Sequence, residues 1–159
     1  MDGPESYLKG MSLALEEARK AYALGEVPVG AVIIKGDQVI GRGHNLKETL
    51  QDPTAHAEII AIRRAAEREG SWRILDAVMY STLEPCPMCA GAIVLARIPK
   101  LVIGARDPRT GACGSLVDLV RDERLNHRVE VITGVMEEEC ASLLEAFFRE
   151  LRGGKMSGG

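Results

Sequence analysis

Apolar side chains recur every three or four residues near both ends of the sequence, which is the spacing of one helix face. Near the start they predict an amphipathic helix over residues 5–24. Near the end they predict another helix with one apolar face, and spacing alone assigns two of its members, Phe147 and Phe148, to the core. That face consists of Cys140, Leu143, Leu144, Phe147, Phe148 and Leu151.

Shorter apolar stretches between these helices predict strands. Residues 29–34 and 39–43 are rich in β-branched side chains and flank Gly36-Asp37, a turn sequence, so they predict a β-hairpin. Residues 77–83 and 101–105 are almost continuously apolar, as in central strands that are covered on both faces. Alternating apolar positions between 129 and 135 predict a further strand with one less buried face.

Two more helices are predicted to begin at turns between the strands. The Asp-Pro-Thr turn at 52–54 predicts a helix over residues 55–68, with His56 in its first turn. Pro87 fixes φ and lacks an N–H, which suits the first position of a helix that runs to about residue 97, with Cys86 at the N-cap. Helices that alternate with strands predict an α/β fold of three layers.

The composition is that of a single globular domain. The chain has 159 residues, 46% of them hydrophobic, and we assign residues 1–152 to one domain and 153–159 to a disordered tail. Charges are spread through the first twenty residues and no apolar stretch is long enough for a bilayer, so we expect no signal or membrane segment. Four cysteines, two of them assigned below to a metal, favour the reducing cytoplasm and no disulfides.

The His-Ala-Glu sequence at 56–58 and the Pro-Cys-Pro-Met-Cys sequence at 85–89 predict a catalytic zinc site. Zinc prefers imidazole nitrogen and thiolate sulfur, and a catalytic site keeps three protein ligands and one open position for water. His56, Cys86 and Cys89 are three ligands of that kind. Glu58 is a carboxylate that could stand beside the metal without binding it and carry the protons of the water.

Two other interpretations of the cysteine pair compete with this one. A Cys-x-x-Cys sequence also serves as a redox pair or as half of a structural zinc knuckle. A redox pair has no need of an upstream His-x-Glu. A structural site needs a fourth ligand, for which the chain offers Cys113, Cys140, His44 and His127. His-x-Glu combined with Pro-Cys-x-x-Cys is a signature of zinc deaminases, which favours the catalytic interpretation.

Longer stretches around these motifs resemble the bacterial tRNA-specific adenosine deaminase family of the zinc-dependent cytidine/deoxycytidylate deaminase superfamily. The zinc motifs, here within residues 52–59 and 82–92, are shared across the superfamily. The likeness extends from about residue 7 to residue 152, and it implies a three-layer α/β/α cytidine-deaminase-like fold with a central mixed five-stranded sheet. The stretches that point to the tRNA branch are 27–32, 104–107, 110–116, 126–129 and 147–149.

The resemblance implies hydrolytic, zinc-dependent deamination of the wobble adenosine, position 34, to inosine in a tRNA anticodon loop. His56, Cys86 and Cys89 would hold one zinc ion per chain. Glu58 would take a proton from the attacking water, pass it to the ring nitrogen and protonate the leaving ammonia. The adenosine would leave its stack to enter the pocket, which is a known property of this enzyme family.

The resemblance also implies a set of substrate contacts. Asn45 corresponds to the family's base-contacting asparagine, although surface turns commonly carry asparagine as well. Asp107 corresponds to a residue near the RNA sugar, although a turn-forming aspartate has the same sequence context. The complete set of matching positions is Val27, Pro28, Asn45, Asp107, Phe148 and Arg149.

The expected partners are a tRNA anticodon stem-loop and a second copy of the chain. Family members are homodimers, and here residues 110–116 and the Cys86 helix are expected near the interface. The formal net charge of −3 gives no global sign of nucleic-acid binding, so binding requires a local basic groove. The candidates for that groove are Lys47, Arg106, Arg109, Arg149 and Arg152.

Three alternative functions stay open at this point. A small-molecule deaminase acting on guanine, cytosine or a nucleoside would share all the zinc chemistry, and only the stretches of the tRNA branch oppose it. A zinc-stabilised RNA-binding module would have no need of Glu58. A subunit that requires a different partner chain is opposed by the intact His-x-Glu, which marks a catalytic chain.

Overall fold

The computed structural model describes residues 3–154; most of the expected tail, residues 155–159, lies outside the described residues, as do residues 1–2. Five helices and five strands alternate along this part of the chain, as the sequence pattern predicts for an α/β fold. In chain order they are α1 (Pro4–Ala23), β1 (Gly30–Lys35), β2 (Gln38–His44), α2 (Lys47–Leu50), α3 (Ala57–Glu69), β3 (Ala77–Leu83), α4 (Pro87–Leu95), β4 (Lys100–Ala105), β5 (Glu130–Ile132) and α5 (Glu137–Arg152).

The five strands form one mixed sheet in the order β2-β1-β3-β4-β5. Strand β1 pairs antiparallel with both β2 and β3, whereas β3 with β4 and β4 with β5 are parallel pairs. The carboxyl ends of β2, β3 and β4 therefore lie at one edge of the sheet, together with the amino end of β1. Loops that leave this edge are in position to build a site.

Helices cover both faces of the sheet. Val32 and Tyr80 are cross-strand partners and pack on the face that α1 and α5 cover. Their chain neighbours Ile33 and Met79 point the other way and pack under α3 and α4. Every residue of β4 is buried, as its continuous apolar sequence predicts. The predicted three-layer α/β/α fold with a mixed five-stranded sheet is confirmed.

Helix α3 begins later than the sequence pattern predicts. It begins at Ala57, so His56 is its N-cap and not a residue of its first turn, and that prediction is wrong. Residues 52–54 close a turn of their own, in which Asp52 accepts hydrogen bonds from the N–H and the hydroxyl of Thr54. The helix starts at Ala57 because the side chain of Asn45 accepts a hydrogen bond from the Ala57 N–H. The short helix α2 has no counterpart in the sequence-based prediction.

Two other elements are shorter than predicted. Helix α4 ends at Leu95, and the chain leaves it through Arg97 in the left-handed region, with φ of 64°. Strand β5 keeps three residues of the predicted 129–135 stretch, because Gly134 with φ of 82° turns the chain away from the sheet. Within residues 3–154, no helix combines the length and the apolar character that crossing a bilayer requires.

Candidate active site

The N-termini of α3 and α4 face each other at the loop-bearing edge of the sheet. His56 and Cys86 are the N-caps, and both have extended backbone, with φ, ψ of −80°, 152° and −74°, 175°. Neither side chain caps its own helix. Instead, His56 Nδ1 lies 3.6 Å from Cys86 Sγ and 3.5 Å from Cys89 Sγ, one turn into α4.

The three side chains fit a zinc ion. One nitrogen and two sulfur atoms lie within 4.8 Å of one another. Bonds of about 2.3 Å to sulfur and about 2.0 Å to nitrogen, at a tetrahedral angle, put the two atoms roughly 3.5 Å apart. The observed separations of 3.5 and 3.6 Å agree with that geometry.

The four side chains that could complete a structural site lie outside the cluster. His44 Nδ1 lies 2.9 Å from a carboxylate oxygen of Glu17, and His127 Nε2 lies 2.8 Å from the carbonyl oxygen of Ile98. Cys113 and Cys140 are buried free thiols. Among the residues that the structure describes, the cluster that could hold a metal ion thus has three members, as a catalytic site requires.

The surroundings of Cys86 favour its thiolate, which is the form that binds metal. Hydrogen bonds from the Cys89 thiol and the His56 ring lower the pKa of Cys86 to about 4. The same contact with Cys86 raises the pKa of His56. The N-terminus of α4, with Pro87 in its first position, adds the partial positive charge of unpaired N–H groups.

Glu58 lies in the first turn of α3 and is 4% exposed, yet it lines the cavity above the cluster. Burial penalises its charged form and raises the pKa of Glu58 to about 7. A cation beside it would favour the charged form again. Burial and a nearby cation shift the pKa of such a carboxyl group in opposite directions, so the group can take up and release a proton near neutral pH.

A cavity of about 170 Å³ opens over the cluster. We call it the cluster cavity. Apolar side chains of Val27, Val29 and Leu83 contribute to its wall. Pro28, between the two valines, is itself buried. Polar groups of Asn45, Lys47 and Asp107 line the cluster cavity as well, so it can hold a flat ring and hydrogen-bond its edge.

Asn45 holds the start of α3 in place with both ends of its amide. Its Oδ1 accepts a hydrogen bond of 2.9 Å from the Ala57 N–H, and its Nδ2 donates one of 3.1 Å to the Val27 carbonyl. The side chain therefore ties the loop before β1 to the residue after His56. A second N–H and a second lone pair of the amide are left for another partner.

Asp107 forms a turn directly after β4. Its Oδ1 accepts hydrogen bonds from the N–H groups of Arg109, at 3.1 Å, and Thr110, at 3.3 Å. Its Oδ2 accepts a third, of 2.9 Å, from the Thr110 hydroxyl. Asp107 thus shapes the loop and contributes to the wall of the cluster cavity at the same time.

A larger cavity of about 660 Å³ adjoins the cluster cavity, and Val27, Leu83 and Asp107 line both. We call it the outer groove. Three of the five predicted basic residues line it, Arg106, Arg109 and Arg152. Lys47 lines the cluster cavity, and Arg149 lies beside Phe148 and Arg152 in the next surface depression.

The two phenylalanines of α5 have different surroundings. Phe147 is 1% exposed and packs edge-on against Tyr22, with ring centroids 5.7 Å apart, so its predicted burial is confirmed. Phe148 is 39% exposed and lines the outer groove, so the prediction from spacing that it belongs to the core is wrong. Successive helix residues point in directions about 100° apart, and the edge of the apolar face falls between these two.

Two buried glutamates near the site are absent from the sequence-based prediction. Glu26 is 2% exposed and accepts hydrogen bonds from the N–H groups of Glu48 and Thr49 and from the Thr49 hydroxyl. It thereby fixes α2, which carries Lys47. Glu84 is 4% exposed and binds the loop after β4. The available signal for Glu84 is a charged residue directly between an apolar strand and the cysteine motif.

Comparisons with known proteins agree with this geometry. Residues 5–152 match the family model of MafB19-like deaminases. A tRNA-specific adenosine deaminase of Bacillus subtilis (strain 168) is 52% identical over 152 residues, which is 96% of this chain and 92% of the relative.

Solved structures extend the comparison. A structure from biochemical and structural studies of A-to-I editing by tRNA:A34 deaminases has a TM-score of 0.82 and 46% identity, over 85% of this chain and 98% of that one. A guanine deaminase of Bacillus subtilis has a TM-score of 0.58 and 40% identity, over 64% of each chain. The geometry of the His-x-Glu and Pro-Cys-x-x-Cys motifs fits the deaminases in general, and the 52% identity over nearly the whole chain shows that this protein belongs to the tRNA-specific adenosine deaminase family.

Proposed function

We propose that this protein is a zinc-dependent hydrolase that converts the wobble adenosine of a tRNA anticodon loop to inosine. The observation that carries the proposal is the cluster of His56, Cys86 and Cys89, with Glu58 buried beside it below a cavity that adjoins an arginine-lined groove. The 52% identity to a tRNA-specific adenosine deaminase supports the substrate class. A tRNA substrate and four cysteines without disulfide bonds support a cytoplasmic location. The family match over residues 5–152 supports a single domain that ends near residue 152.

The metal ion would activate the water, and Glu58 would carry the protons. His56, Cys86 and Cys89 would hold one zinc ion, which when bound acts as a Lewis acid and makes a water molecule easier to deprotonate. Glu58 accepts the proton of the attacking water and passes it to the ring nitrogen of adenine. It then takes the second proton from the hydroxyl group now bonded to C6 and delivers it to the amine. The C6–N bond breaks, ammonia leaves, and a carbonyl forms at C6. Its burial keeps bulk water from competing for these protons.

The remaining substrate contacts follow from the lining of the two cavities. The base enters the cluster cavity, where the free N–H and lone pair of Asn45 meet the purine edge. Val27 forms the wall against the base, and Pro28, which is buried and does not line the cavity, supports the chain next to it. Asp107 lies toward the ribose. In the outer groove, Phe148 offers an exposed ring on which a neighbouring base can stack, with Arg149 beside it for phosphate.

We also propose a homodimer that forms through the outer face of α4. This helix is apolar on every side, but only Cys89, Ala90, Ile93 and Val94 are buried. Leu95 on the other side is 68% exposed. An all-apolar helix that covers only one face within its own chain is typical of a subunit interface.

The substrate assignment can be tested with four compounds. We expect ammonia release and inosine formation with an anticodon stem-loop that carries adenosine 34, and none with guanine, cytosine or cytidine. Raising the salt concentration should lower the rate at subsaturating RNA, because arginine–phosphate contacts release counterions. A stem-loop with the adenosine moved one position along the loop is the matched control. Ammonia from guanine or cytosine without inosine in the RNA would assign the chain to the small-molecule deaminases.

Metal content tests the ligand set. Purified protein should contain one zinc per chain by elemental analysis, and Cys86→Ala should lose most of it, because two ligands seldom retain a catalytic zinc. Cys113→Ala removes a buried cysteine that lies outside the cluster and should keep full zinc content. Zinc retained by Cys86→Ala, or lost from Cys113→Ala, contradicts this assignment.

Replacement of Glu58 tests the proton carrier. Glu58→Ala should keep its zinc and its circular dichroism spectrum but lose roughly 10²- to 10⁴-fold in turnover, the usual contribution of a placed acid–base group. Glu67→Ala, at an exposed position on the same helix, should leave turnover unchanged. Near-normal turnover of zinc-loaded Glu58→Ala would show that another group moves the proton.

The dimer can be tested by light scattering after size exclusion at micromolar concentration. The parent should have the mass of two chains, and Leu95→Asp should have the mass of one, since a charge on the buried interface is costly. Leu8→Asp, at a position 52% exposed on α1, is the control and should stay dimeric. A monomeric parent, or a dimeric Leu95→Asp, excludes this interface.

A further inference from the structure

We propose that Glu84 is a positioning residue: it locks the loop after β4 to the segment that carries Cys86 and so sets the width of the cluster cavity. We define the cavity loop as residues 107–115. The effect on substrate rests on the proposed function, whereas the effect on the loop does not.

The carboxylate of Glu84 binds both ends of the cavity loop. Its Oε1 accepts hydrogen bonds from the Asp107 N–H, at 3.1 Å, and from the Ser115 hydroxyl. Its Oε2 accepts the N–H groups of Cys113 and Ser115, both at 3.0 Å. An ionised carboxylate suits this arrangement because it only accepts, and it has room for four donors.

Neighbouring backbone groups extend this contact up to the metal ligand. The Glu84 N–H donates a hydrogen bond of 2.9 Å to the Ala105 carbonyl, where β4 ends. The Pro85 carbonyl accepts one of 2.9 Å from the Ala112 N–H. Because Cys86 follows directly, the cavity loop and the start of α4 are held together residue by residue.

The close approach leaves no space for a larger residue at Gly111. A Cβ atom there would lie 2.4 Å from the Glu84 carboxyl carbon and 2.5 Å from the Asp107 carbonyl oxygen. The Gly111 N–H also donates a hydrogen bond of 2.8 Å to that carbonyl. The missing side chain at Gly111 is therefore needed for the Glu84 carboxylate to approach the loop this closely.

The cavity loop carries the parts of the wall that face the substrate. Asp107 and Thr110 line the cluster cavity, and Arg109 lines the outer groove. Glu84 also borders the cluster cavity, but both of its carboxylate oxygens are occupied by donors of the cavity loop, so its main effect on a bound RNA is exerted through these residues. When the loop is released, the wall moves away from Asn45 on the opposite side. Substrate binding then weakens more than the chemical step does.

The test replaces the carboxylate without changing its shape. In Glu84→Gln, an N–H₂ group takes the place of an accepting oxygen and meets N–H donors of the loop. We expect hydrogen–deuterium exchange in peptides covering 107–115 to accelerate at least tenfold, with zinc content unchanged. KM for the adenosine-34 stem-loop should rise about tenfold, and kcat should fall less than threefold.

A second buried glutamate provides the matched control. Glu17, on α1, has a side chain that is 1% exposed and binds Lys20, Arg42 and His44, away from the cavity loop. Glu17→Gln therefore reports the general cost of neutralising a buried carboxylate. It should leave exchange in 107–115 and KM as in the parent.

Ser115→Ala and Gly111→Ala keep the proposal testable if Glu84→Gln fails to fold. Ser115→Ala removes one of the four donors, and Gly111→Ala displaces the carboxylate. Both variants should therefore accelerate hydrogen–deuterium exchange in 107–115 and raise KM.

The proposal is overturned if exchange in 107–115 is no faster in Glu84→Gln than in Glu17→Gln, or if exchange is faster while KM is unchanged. If the parent forms no inosine from the stem-loop, the proposed function fails. Hydrogen–deuterium exchange in 107–115 still tests whether Glu84 holds the cavity loop. KM is then measured on whichever test compound the parent deaminates.

Discussion

The separation between the starts of α3 and α4 is the constraint on which the site depends. The ligands come from two helices, and their donor atoms must stay about 3.5 Å apart to share one zinc ion. The distance of helix α3 from the sheet is fixed because the helix packs directly on the glycines of β2. A Cβ at Gly41 or Gly43 would lie 2.4 Å or 2.6 Å from carbonyl oxygens of the helix. Small side chains at Ala61 and Ala90 keep the two helices close to the sheet and to each other.

Much of the fold and the grouping of His56, Cys86 and Cys89 could be predicted from the sequence because both depend on local pattern. Apolar periodicity predicts the layers, and metal-ligand chemistry depends on residue type and on turns that short motifs encode. The position of His56 could not be predicted in the same way. The start of its helix is decided by Asn45, a side chain from another loop that caps the Ala57 N–H. The turn residues at 52–54 look the same whether the helix begins at 55 or at 57.

Side chains whose partners are distant in the chain account for the other differences. Glu26 and Glu84 read as ordinary charged residues in the sequence, and only the tertiary structure surrounds each with loop N–H donors. Phe148 carries the apolar signal of a core residue, but its direction depends on how α5 is rotated against the sheet. Which of two adjacent aromatic residues is buried depends on packing, here that of Phe147 against Tyr22. Sequence spacing does not specify how α5 is rotated against the sheet.

The two extended N-caps have a consequence for how the protein tolerates loss of its metal. Histidine and cysteine stand where serine, threonine or aspartate would otherwise bond the first turn, and such a cap is usually worth about 1 kcal/mol. Neither His56 nor Cys86 makes that bond. At α3, Asn45 supplies a hydrogen bond from another loop instead. A metal ion bound by His56, Cys86 and Cys89 would fasten the starts of both helices to each other. Such an ion would hold together the two helices that cover this face of the sheet, and its removal by a chelator would loosen the beginnings of α3 and α4 together.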